Sequence, residues 1–123
     1  MVPSKIKLHK QSRTLEVHFG TEQFVLSAEL LRVLSPSAEV RGHGPGQEVL
    51  QHGKKNVAIS AIEPAGNYAI KIVFDDGHDS GFYSWEYLLE LGREKDTLWD
   101  DYLQKLHDKQ LSRDPDTQVV RLL

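Results

Sequence analysis

A small α+β fold, with a mostly antiparallel sheet and two or three helices packed on one face, is predicted by three observations. Apolar residues alternate at period two over the first 26 residues and again within residues 57–83. Leucines and aromatics recur at helical spacing across residues 95–111. The length, 123 residues with 39% hydrophobic and 27% charged, suits one globular domain with a core of its own.

The elements follow in order. Ile6 and Leu8, then Leu15, Val17 and Phe19, set apolar side chains on one face of two strands, with Lys5, Lys7, Glu16 and His18 opposite. Lys10-Gln11-Ser12-Arg13 reads as the hairpin turn between them. Gly20-Thr21-Glu22 turns the chain again into a third strand, Gln23-Phe24-Val25-Leu26. Ser27 is a good N-cap for a helix over 28–34, because its hydroxyl can accept an otherwise unpartnered backbone N–H. Pro36 ends that helix. Residues 35–56, rich in glycine, read as one long loop, a length that is usually functional or disordered.

Two more strands are predicted over 57–62 and 68–74, joined through Pro64-Ala65-Gly66-Asn67. Tyr68, Ile70, Ile72 and Phe74 share one face of the second. Asp75-Asp76-Gly77-His78 is a strong turn signal, and Ser80-Gly81-Phe82-Tyr83 returns as a short strand. Ser84 caps a short helix over 85–91 that Gly92 closes, and a longer helix runs over 95–111. The domain is predicted to span 1–111, with 112–123 a disordered tail.

Composition excludes several kinds of chemistry. Cysteine is absent, which removes disulfides, thiolate zinc sites, iron–sulfur ligation and cysteine nucleophiles. The net charge of −3 is uneven: residues 1–55 carry eight basic against five acidic residues, and residues 75–101 carry two against nine. No basic stripe with interleaved aromatics exists, so nucleic acid is not an expected partner. Nothing approaches the ~20 apolar residues of a membrane span, and no signal-peptide stretch follows Met1, so a cytoplasmic location is expected.

Candidate motifs are mostly weak. Gly42-His43-Gly44-Pro45-Gly46 suggests a phosphate cradle, but no Lys-Ser/Thr and no helix start follow it. The acidic turn from Asp75 fails as an EF-hand, because Gly77 holds the third position and Phe82 and Tyr83 interrupt the loop. No histidine pair has metal-motif spacing, and Ser80 near His78 lacks a nucleophile elbow. The aromatic set from Phe82 to Tyr102 reads as core.

At Phe74-Asp75-Asp76-Gly77-His78-Asp79-Ser80-Gly81-Phe82-Tyr83-Ser84-Trp85-Glu86-Tyr87-Leu88 the chain resembles the DUF971 family, which is similar to the N-terminal domain of gamma-butyrobetaine hydroxylase. Leu30-Leu31-Arg32-Val33-Leu34-Ser35-Pro36-Ser37 extends the likeness upstream. In the hydroxylase domain, three cysteines spaced Cys-x-Cys-x-x-Cys and a later histidine hold a structural zinc. Those cysteine positions fall here at Ser35, Ser37 and Val40, and only His78 remains. No cofactor and no inherited metal site are therefore expected. The hydroxylase's oxygenase chemistry belongs to a separate catalytic domain with no counterpart in these residues. Related domains are also fused to iron–sulfur carrier ATPases, which implies an accessory role.

The expected function is thus a non-enzymatic accessory or protein-interaction domain, linked by family association to iron–sulfur or metalloenzyme assembly. Its surface would combine His43, Gly44 and Gly46 with Asp76, His78 and Trp85, and its partner would be a protein. The alternative is a small metal-binding module in which His43, His78 and an aspartate hold a divalent ion loosely.

Overall fold

The computed structural model describes residues 1–120 and 122. In chain order the elements are β1 (Lys5–His9), β2 (Thr14–Phe19), β3 (Glu22–Ser27), α1 (Ala28–Val33), α2 (Ala38–Arg41), β4 (Ile59–Ala65), β5 (Ala69–Phe74), β6 (Gly81–Ser84) and α3 (Trp85–Lys109). The fold is α+β and every strand pair is antiparallel. The strands divide between two three-stranded sheets, β1-β2-β3 and β4-β5-β6.

Period-two patterning places the core. Leu15, Val17 and Phe19 point inward from the central strand β2, and Ile70, Ile72 and Phe74 do so from the central strand β5. Tyr83 of β6, Leu30 and Leu31 of α1, and Leu88 and Leu91 of α3 fill the same core, so both sheets share it. Burying each such leucine stabilises the fold by about 1.5–3 kcal/mol. Tyr68 breaks the expected alternation: it precedes β5 and is exposed.

Three further elements differ from the sequence reading. The two helices predicted over 85–91 and 95–111 are one 25-residue helix, α3. Gly92 does not cap it but lies buried against β3, where a Cβ would stand 2.4 Å from the Phe24 ring. A helical glycine costs only about 1 kcal/mol, less than the packing it permits. β4 starts two residues later than predicted and runs through Pro64, which an edge strand tolerates because its missing N–H faces outward. The long loop holds a short helix, α2, and its later part, from Val49 to Lys55, is tied down. The Val49 N–H donates to the Val40 carbonyl, and Gly53 and Lys55 donate to the carbonyls of Ser112 and Arg113.

Within the segment 112–123, Arg113 also makes two hydrogen bonds to buried Glu29, at 2.7 and 2.8 Å, and stacks over Trp99. Arg121 and Leu123 lie outside the described residues.

Candidate functional site

α1 ends at Leu34, and the chain then runs extended through Ser37, which turns Ser35 and Ser37 into the interior. They are 1% and 7% exposed. Opposite them lies the turn between β5 and β6. Gly77 takes a left-handed φ of 91°, which closes the turn so that the Phe74 N–H donates to the His78 carbonyl. The His78 N–H in turn donates to Asp76 Oδ1 at 3.1 Å. The His78 ring is thereby aimed inward, and the residue is 5% exposed.

The ring meets Ser35 Oγ at 2.8 Å and Ser37 Oγ at 3.3 Å, both through Nε2. Its Nδ1 lies 3.2 Å from Glu39 Oε2. A carboxylate only accepts, so Nδ1 carries the proton and Nε2 takes its hydrogen bond from the hydroxyls. Ser80 Oγ donates to the other Glu39 oxygen at 3.1 Å, and the Ser37 N–H donates to Ser35 Oγ at 3.3 Å. A Cβ on Gly81 would stand 2.6 Å from Ser35 Oγ, so glycine makes room for the cluster. Burial first, then the Arg32 charge, push the His78 pKa below its ordinary value against the opposing pull of Glu39 and Asp76. The imidazole is neutral near pH 7.

Beside this cluster, Asp76 Oδ2 accepts from Arg32 Nε at 2.8 Å and Lys54 Nζ at 2.7 Å. Burial works to raise the Asp76 pKa, but hydrogen bonds from Lys54, the His78 N–H and Arg32 prevail and take it to about 2. Arg32 also reaches Gln51 Oε1 at 3.1 Å, so one buried guanidinium joins α1, the 51–54 segment and the acidic turn.

α2 stands on the serine–histidine cluster through Ser37 and Glu39. Arg41 lies over the Tyr87 ring of α3, 4.8 Å from its centroid, and the Tyr87 hydroxyl donates to the Leu34 carbonyl at 2.6 Å. Gly42 ends α2 at a φ of 74°, with the Gln47 carbonyl so near that a Cβ would lie 2.1 Å from it. The loop beyond projects outward, and His43, Pro45, Gly46 and Val49 are exposed. Between this loop and α3 runs a groove of about 470 Å³, walled by Val40, Leu50, Tyr87 and Leu98 with Arg41 and Lys105 at its rim.

The structure therefore brings His78 and Asp76 together and sets α2, which leads into the loop of His43, Gly44 and Gly46, against His78. Trp85 is elsewhere. It follows Ser84, which pairs with Ala69 at the start of β5, and its indole N–H donates to the Asn67 carbonyl at 2.7 Å. Asp76 follows the other end of β5, about 20 Å away at the usual strand rise. Ser35 and Ser37 entered the sequence reading only through the family likeness, and Arg32, Glu39 and Tyr87 did not enter it as site residues. No local signal marks them, because their partners lie about 40–50 residues away in the chain.

The donor set does not suit zinc. Two neutral hydroxyls stand at the cysteine positions, Val40 offers no donor atom, and both imidazole nitrogens of His78 are engaged. Among the described residues, no group of three or more His, Cys, Asp or Glu side chains is placed to hold a metal ion. The Ser35–His78–Glu39 order is that of a nucleophilic relay, but the Ser35 hydroxyl is enclosed by His78, Ser37 and Gly81, and no substrate carbon reaches it.

Residues 6–89 match the family described as gamma-butyrobetaine hydroxylase-like, N-terminal, and the chain belongs to that family. Three solved structures are similar. One NMR solution structure is 56% identical with a TM-score of 0.86, the alignment covering 99% of this chain and 97% of that one. A second is 50% identical with a TM-score of 0.79, covering 99% and 92%. A crystal structure of a protein of unknown function in the DUF971 family, from Acidithiobacillus ferrooxidans, is 33% identical with a TM-score of 0.61, covering 73% and 91%. Among curated proteins, none matches the chain. No described helix is long and apolar enough to cross a membrane.

Proposed function

We propose that this chain is a non-enzymatic accessory domain that binds a protein partner through α2, the loop after it and the groove against α3. One observation carries the reading. An exposed glycine-bounded loop, with Val49 53% exposed, flanks an apolar groove whose wall α2 is fixed from below by buried hydrogen bonds. Rigid support under an exposed, partly apolar surface lowers the ordering cost of association. Asp76 and His78 serve this surface from beneath, and Trp85 secures the far end of the second sheet. Metalloenzyme or iron–sulfur assembly is the setting in which to look for the partner first, by family association alone.

The test is capture of partners by the tagged protein, followed by binding isotherms on the purified pair. His43→Ala and Val49→Asp should each weaken binding about tenfold or more, close to 1.4 kcal/mol. Tyr68→Ala, exposed beside the distant Trp85, should leave it unchanged. Equal affinity in all four proteins would remove this surface from consideration.

A further inference from the structure

The cluster beneath α2 does more than fill space. Four side chains from two separate segments converge on one imidazole: Ser35, Ser37 and Glu39 from the α1–α2 region, and Ser80 through Glu39 from the turn that holds His78. Every buried polar side-chain atom among the described residues has a partner. Glu39 carries the ring's shell out to water, its side chain 69% exposed.

We infer that Ser35, Ser37, Glu39 and His78 form a metal-free latch that pins α2 to the β5–β6 turn, at the positions where the resemblance to the hydroxylase domain implies metal ligands. Coordination fixes a joint by a few strong bonds to one centre. Here the imidazole is that centre, with Nδ1–H held by a carboxylate and Nε2 by hydroxyls. Hydroxyl–imidazole spacing of 2.8–3.3 Å is hydrogen-bond contact, and it leaves no volume for an ion between them. Glycine at 81 is part of the device, since any side chain there would push Ser35 away from the ring. The latch stands whether or not the surface above it binds a partner.

Metal analysis, thermal unfolding with and without chelator, and nitrogen spectra of histidine-labelled full-length protein test this. The expected result is less than a tenth of an equivalent of zinc and a melting temperature unmoved by chelator. The His78 ring should carry its proton on Nδ1, with Nε2 bare. One equivalent of tightly held zinc, or a proton on Nε2 with Nδ1 bare, would overturn the latch. Ser35→Ala/Ser37→Ala leaves Nε2 buried without a donor and should lower the melting temperature by roughly 5–10 °C. It should also shift the amides of residues 38–49 while those of β1–β3 stay in place. A wild-type melting temperature with unmoved α2 amides would equally sink it, and the nitrogen spectra decide the matter if that variant does not fold.

Discussion

At the scale of single residues, the spacing between Gly81 and Ser35 is the tightest constraint on the buried cluster. A methyl at 81 would lie 2.6 Å from Ser35 Oγ and 3.1 Å from the Tyr83 ring, and both neighbours are fully buried and cannot swing aside. Gly81→Ala should therefore destabilise the fold by about 1–3 kcal/mol, the usual cost of overpacking, as read from urea unfolding. Titration gives a second prediction. The unfolded His78 takes up a proton near its ordinary 6.5, whereas the folded one resists it because of burial and the Arg32 charge. Between 6.5 and the lower folded value the unfolded chain binds more protons, so stability is full above pH 6.5 and falls as the solution is acidified. Asp76 adds a second loss further down, as pH falls from 3.8 towards its folded value of about 2. Urea midpoints of wild type should drop from pH 7.5 to 5, and the drop should shrink in His78→Gln. Equal slopes in the two proteins would show that His78 does not titrate differently in the two states.

The elements were legible wherever local pattern and tertiary packing agree. β1, β2, β3 and α1 were read from alternation, turn residues and the Ser27 cap, whose hydroxyl does accept from Leu30 N at 3.0 Å. The sequence divides α3 in two because Gly92 carries the signature of a helix end, while its true role depends on Phe24, 68 residues earlier and invisible to local reading. α2 escapes local reading because it is only four residues long, with Val40 its one buried residue and Gly42 at its end, too short to show a helical period. The candidate site was half legible. His78 and Asp76 sit in a recognisable turn, but what they touch was fixed by folding. Gly92→Ala separates the two readings of that residue. A helix-interior glycine replaced by alanine normally gains about 1 kcal/mol. Here the methyl would meet the Phe24 ring, so the net change should be a loss of about 1–2 kcal/mol. In a Phe24→Ala background the same substitution should become stabilising, which a double-mutant cycle in urea would measure.

For the molecule as a whole, the segment after α3 acts as a clasp. Three connections converge on Arg113: its carbonyl accepts from Lys55, its guanidinium grips Glu29 of α1 twice, and its face covers Trp99 of α3. One residue thus joins the first helix, the last helix and the 51–56 segment, and that segment also supplies Lys54 to Asp76 and the Gln51 carbonyl to Tyr102. The fit is driven by Glu29, which is 6% exposed and would remain as a buried, uncompensated carboxylate if Arg113 were lost. Because Arg113 itself is about one third exposed, the cost is discounted from the fully buried case to about 1–3 kcal/mol. Truncation after Leu111 should destabilise by more than Arg113→Ala, since it removes the same cation and also the Ser112 and Arg113 carbonyls that accept from Gly53 and Lys55. In Glu29→Gln the Arg113→Ala change should cost much less, because no charge is left to abandon. If truncation instead left the urea midpoint unchanged, the grip of Arg113 on Glu29 would contribute nothing to the fold, and the 51–56 segment would be held by its bonds to Arg32, Tyr102 and Asp76.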